Sequence, residues 1–146
     1  MSTEEIDEMG PIDFVVIEWP GTQPTGEALP YLVDLVDRGI VRILDLAFLT
    51  KGDDGTVAGV EISELAEQVA EIKVFEGASS GLLSEDDKAD AGEAMDPGSS
   101  AALLVYENRW AGPFAAAVRR SGGQLVADGR IPVQSLIAAL DDAEDD

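Results

Sequence analysis

The sequence predicts a single α+β domain: a ferredoxin-like, split-βαβ sandwich of helices on a four- to five-stranded sheet. Three observations predict it. β-Branched and aromatic runs alternate with segments whose apolar residues recur at i, i+3, i+4 and i+7. Gly and Pro punctuate the gaps between them. The 146 residues suffice for one core, and 45% apolar content is ordinary for a globular chain despite a net charge of −21. The expected order is β-α-β-β-α-α-β-α-β-α. Residues 1–9 form an acidic lead-in, 10–140 the domain, and 141–146 an acidic tail.

Ile12 to Trp19 is the first strand, stopped by Pro20-Gly21. Thr25 is the expected N-cap of a helix over 26–38, with Leu29, Leu32, Val33 and Val36 on one stripe and Gly39 after its end. Ile40–Thr50 and residues 56–62 make a hairpin around the polar turn 51–55, with Gly59 marking a bulge or a close backbone approach. Ser63 is expected to cap a helix ending near Gly77, with Ile62, Leu65, Ala66, Val69 and Ile72 as its stripe. Residues 77–81 form a small-residue hinge. Ser84 opens a third helix, with acids in its first turn. Ser99–Glu107 is a strand, Pro113 starts a short helix to Arg120, residues 124–127 form a further strand, and Pro132 starts a last helix carrying Val133, Leu136, Ile137 and Leu140. Two βαβ-like units thus span 12–50 and 99–131.

A sheet with one wet face shows polar residues at every second position. In residues 40–49 strict alternation puts Ile40, Arg42, Leu44, Leu46 and Phe48 on one face, and Val41, Ile43, Asp45, Ala47 and Leu49 on the other. Both are mostly apolar. The second face is therefore covered either by the chain's own last helix or by a second copy, and the expectation is a homo-oligomer.

The composition excludes much chemistry. Without His there is no imidazole base, no Ser-His-Asp or Cys-His system and no imidazole metal ligand. Without Cys there is no disulfide, thiolate zinc or iron–sulfur site. Thirty acids against nine bases disfavour nucleic acid and anionic membrane surfaces. No run of about 18 apolar residues is present to span a bilayer. The acidic N-terminus does not read as a secretory signal, so a cytoplasmic protein is expected. The charge is uneven. Residues 1–8 and 141–146 hold nine acids and no base, and the acidic helical insert 61–96 holds 11 acids and two bases. These segments are where a basic protein partner would bind.

Residues 10–21, 39–46, 80–87, 97–104 and 110–114 together resemble a family of small actinobacterial proteins known only as a domain of unknown function. More distantly they resemble a bacterial putative membrane protein family with a glycine-rich apolar central segment. Here that place holds Gly77-Ala78-Ser79-Ser80-Gly81 followed by acids, so the resemblance implies neither a membrane role nor an activity.

Seven residues are candidate interaction or ligand sites. Asp45 is an acid within an apolar strand, expected to pair with an Arg within the chain or at an interface, though not with Arg42 of its own strand. Glu18 and Glu107 end two candidate adjacent strands, where paired carboxylates can act as acid and base, but solvated strand-end acids are the expected reading. Arg109 and Trp110 precede a helix start, where N–H groups bind anions, although Trp110 is expected to fold onto the core. Residues 86–93 fail the register of a calcium loop. No catalytic residue, cofactor or metal is assigned. The function expected is a non-enzymatic, homo-oligomeric scaffold or regulatory protein. The alternative is a small-molecule pocket near Trp19, Arg109 and Trp110.

Overall fold

The strand Ser100–Asn108 organises the molecule. Its stretch Ala101–Val105 has no polar side chain, so neither face suits water, and it lies at the centre of the sheet. The computed structural model describes residues 8–22, 25–67, 70–75, 77–78 and 80–145. Its elements are β1 (Ile12–Trp19), α1 (Leu29–Asp37), β2 (Val41–Lys51), β3 (Val57–Val60), α2 (Ile62–Ala66), a 3-10 segment (Ala70–Phe75), α3 (Glu85–Ala94), β4 (Ser100–Asn108), a 3-10 turn (Arg109–Ala111), α4 (Gly112–Arg120) and α5 (Val133–Asp145). The sheet order is β1-β4-β2-β3, every neighbouring pair antiparallel. β1 and β2 consequently run in the same direction with β4 between them.

Both faces of the sheet carry helices. On one, here the α1 face, Leu46 and Leu104 pack with Ile72 and Phe75, and the α1 stripe Leu29, Leu32, Val33 and Val36 closes over them with Ile62 and Leu65. On the other, the α3 face, Leu49, Ala101, Leu103 and Val105 pack with Leu83, Ala91 and Met95. α3 is well terminated. The Ser84 hydroxyl accepts from the Asp87 N–H at 3.0 Å, and the Asp87 carboxylate accepts from the Ser84 N–H at 2.9 Å. At the other end the Lys51 ammonium donates to the carbonyls of Gly92 and Met95, both at 3.0 Å, placing a cation on the negative end of the helix.

The α3 face is covered over β2 and β4 but not over β1. Ile12, Phe14 and Val16 stand opposite Glu107, Val105 and Leu103, hence on that face, and keep 47%, 51% and 44% of their surface exposed. α5 is uncovered as well: Val133, Leu136, Ile137 and Leu140 are 53% to 65% exposed along the whole stripe. The second face is thus covered by α3 where it is covered, and not by the last helix.

Several expectations are corrected. Residues 124–127 form no strand; Leu125 and Val126 are exposed and have no ladder partner, and a short apolar run is a strand only when paired. The second βαβ-like unit is therefore absent, and residues 123–132 are an irregular connection. Thr25 does not cap α1; its hydroxyl accepts from the Glu27 N–H at 3.3 Å, and Ala28 is the N-cap. The helix expected from Ser63 to Gly77 divides into α2, with Glu61 rather than Ser63 at its N-cap position, and the 3-10 segment. Val69 lies outside the described residues, as do residues 1–7 of the lead-in and Ser79 of the hinge. The expected tail is helical as far as Asp145. Gly59 marks neither a bulge nor a close approach.

The bulge lies in β2 instead. Ile43 pairs with Tyr106 and Asp45 with Val105, leaving Leu44 as the extra residue. Strict alternation therefore fails along β2. Arg42, Asp45, Ala47 and Leu49 share the α3 face, whereas Val41, Ile43, Leu46 and Phe48 share the α1 face.

Candidate functional site

The end of the sheet where β1 begins is held by close backbone packing. A side chain at Gly10 would overlap the Asn108 carbonyl, and one at Gly112 would come within 2.6 Å of the Glu8 carbonyl. Glycine at both places lets residues 8–10, the end of β4 and the start of α4 meet. The meeting point leaves a cleft of about 530 Å³ lined by Glu8, Met9, Arg42, Glu107, Arg109, Pro113, Ala116 and Arg120.

Glu107 is the buried charge of this cleft. Its carboxylate accepts from the Gly10 N–H at 3.0 Å, and Oε1 lies 3.3 Å from Arg42 Nε. The latter is an ion pair without hydrogen-bond geometry: Nε is buried and has no acceptor among the described residues. The pair follows from register, because Arg42 stands directly opposite Glu107. Arg42, half-exposed, neutralises Glu107 and also lines the cleft.

Arg109 and Arg120 line the same cleft and make no ion pair or hydrogen bond among the described residues. In a chain with 30 acids, two arginines without a carboxylate partner at one concavity are notable for their position. Arg120 also ends α4, where a cation meets the negative helix terminus. Arg119 donates to the Met9 carbonyl at 3.5 Å and ties α4 to the lead-in.

The register separates the other candidates. Glu18 faces Ala101, six residues along β4 from Glu107. At about 3.4 Å per residue the two carboxylates are ~20 Å apart, beyond the roughly 5–9.5 Å that paired acid–base chemistry uses. Glu18 instead accepts from the Asp96 N–H at 2.7 Å and holds the connection after α3. Trp19 faces Ser100, at the same far end, so Trp19, Arg109 and Trp110 do not line one pocket. Trp110 is 67% exposed rather than folded onto the core, and its indole N–H donates to Asn108 Oδ1 at 3.3 Å. Arg109 and Trp110 form the 3-10 turn just before α4, because the Trp110 N–H reaches back to the Ile40 carbonyl at 3.2 Å.

Asp45 has no Arg partner among the described residues. It is buried and accepts from the Leu83 N–H at 3.2 Å and the Ser80 hydroxyl at 3.3 Å. A carboxylate accepting a buried N–H has a structural use: it pins the connection into α3 to the sheet. Among the described residues no group of three acids is arranged to hold a metal ion, and no helix is long and apolar enough to cross a membrane. Sequence reading named Arg42, Glu107 and Arg109 but missed Arg120. Its signal is the basic helix C-terminus, Arg119-Arg120, which in the sequence reads only as the end of a helix.

No curated protein and no solved structure matches the chain. A family model described as a family of unknown function, DUF6325, matches residues 8–144. Spanning both the cleft and the uncovered helix, that match makes the chain a member of the DUF6325 family.

Proposed function

We propose that this chain is a non-enzymatic, homo-oligomeric scaffold or regulatory protein that acts by associating with other protein chains. The observation that carries the reading is α5: a helix whose apolar stripe is exposed from end to end, in a chain that also leaves the β1 row Ile12, Phe14 and Val16 exposed. Water-exposed apolar surfaces of this kind are the usual mark of association sites. The cytoplasm is the compartment this reading assumes, and β1–α1–β2 with β4 threaded between is read as a split βαβ unit of ferredoxin-like kind. Native mass spectrometry of the full chain tests the reading. A multimer at micromolar concentration is expected, and a monomer at every concentration refutes it.

A second reading is favoured by Arg109 and Arg120. Two arginines without carboxylate partners, beside a neutralised Glu107, suit a small anion in the cleft. The same native spectra would show a stoichiometric small molecule, and Arg120→Ala would release it.

A further inference from the structure

We infer that α5 of one copy lies along β1 on the α3 face of a second copy, with its acidic end at the Arg109–Arg120 cleft. The inference rests on the association reading and specifies its geometry.

Four observations converge on this occupant. First, the shapes agree. The 13 residues of α5 make a rod of about 20 Å, and the eight residues of β1 extend about 26 Å. Val133, Leu136, Ile137 and Leu140 form one stripe, and Ile12, Phe14 and Val16 form one row. Second, the charges agree in place as well as in sign. The cleft adjoins the Ile12 end of the row, because Ile12 and Arg42 both flank Glu107 on the same face. α5 carries Asp141, Asp142 and Glu144 at its C-terminal end and no base in its last turn. Acids there oppose the helix dipole, so this end gains most from cations supplied by another surface. Third, polarity fixes direction. Laying the stripe on the row with the acids at Arg109 and Arg120 makes α5 run antiparallel to β1.

Fourth, the chain's own α5 starts on the wrong side. The connection before it is held where the Arg130 guanidinium donates to the Tyr106 hydroxyl at 3.2 Å. Tyr106 pairs with Asp13 and Ile43 and belongs to the α1 face. The open row is on the opposite face. Reaching it within one chain means breaking that contact and passing around the β1 edge, whereas a second copy offers the row directly. Reciprocal docking of two such helices closes a twofold dimer.

The absence of native cysteine makes the test clean. Full-length Phe14→Cys and full-length Leu136→Cys, with different mass labels, are mixed and oxidised, and native mass spectra are taken in parallel. The expected result is a dimer whose disulfide joins Cys-substituted position 14 of one label to position 136 of the other. In addition, Arg109→Glu with Arg120→Glu is expected to weaken the dimer by about tenfold or more, and Asp141→Arg with Asp142→Arg to restore it. Far-UV circular dichroism of each variant checks that it is folded. A multimer that yields only 14–14 links, or no 14–136 link, overturns this inference and leaves the association reading intact. A monomer at every concentration overturns both, whether or not a chain carrying Phe14→Cys and Leu136→Cys together links 14 to 136 internally.

Discussion

α1 and α5 carry the same pattern and meet different fates. Leu29, Leu32, Val33 and Val36 repeat the spacing of Val133, Leu136, Ile137 and Leu140. The first stripe is closed against Leu46, Leu104 and Phe75; the second faces solvent over its whole length. The difference does not lie in the helices. α1 is tethered at both ends between β1 and β2, strands of one sheet, with only residues 38–40 between it and β2, and these tethers hold it over the sheet. α5 follows an irregular connection after α4 and, among the described residues, does not bridge two strands of the sheet. An amphipathic pattern therefore specifies that a face will be covered, while the connections decide which surface covers it.

This comparison can be broken or sharpened by substitution. The largest effect is expected in the core that α1 and α3 cover. Leu103 is fully buried, and Leu103→Ala should cost about 3–4 kcal/mol in urea unfolding. Leu32→Asp buries a charge under α1 and should cost about 2–4 kcal/mol by the same measurement. Asp45→Ala leaves the buried Leu83 N–H without its acceptor and should cost roughly 1–3 kcal/mol, with the connection into α3 losing hydrogen-exchange protection first. Ser84→Ala removes half of the capping box and should cost about 1 kcal/mol.

Acid titration gives a smaller effect. The Ser84 N–H bond to Asp87, with the Ser84 hydroxyl, holds the Asp87 carboxyl below its usual value of 3.8. A depressed folded value contributes stability that is complete above the ordinary carboxylate range. It is lost as pH falls below 3.8 through the folded value. Loss of α3 helicity in that window, absent in Ser84→Ala with Asp87→Asn, checks it. Smallest of all is Leu136→Asp. The residue contacts no core cluster, so monomer stability should change by less than about 0.5 kcal/mol, while any oligomer is lost. Unfolding of the monomer by this change would mean that α5 belongs to its own core after all.

How much of this was legible in the sequence follows the range of the forces involved. Ser84 and Asp87 lie three residues apart, and their mutual capping is visible as spelling. β1 and β4 are apolar runs with hard stops, and their limits are readable for the same reason. Thr25 and Ser63 misled because a hydroxyl caps only the helix that tertiary contacts have already placed. The strand expected at 124–127 misled because pairing is non-local. At the cleft, Arg42 and Glu107 are 65 residues apart and meet through register alone, which a one-residue bulge reset. Trp19 was grouped with Trp110 by chemistry, whereas antiparallel pairing sends them to opposite ends of the sheet.

The bulge at Leu44 divides β2 into two lengths of opposite phase. Residues 45–49 hold the core pattern, and residues 41–43 present Arg42 to Glu107. Deleting Leu44 would straighten the strand and leave Arg42 opposite Glu107, whereas pairing the same 11 residues without the bulge would turn Arg42 to the other face and abolish the ion pair without touching either partner. The bulge is thus itself a determinant of the cleft. A strand of the same length without the bulge would hold the same fold around a different local charge.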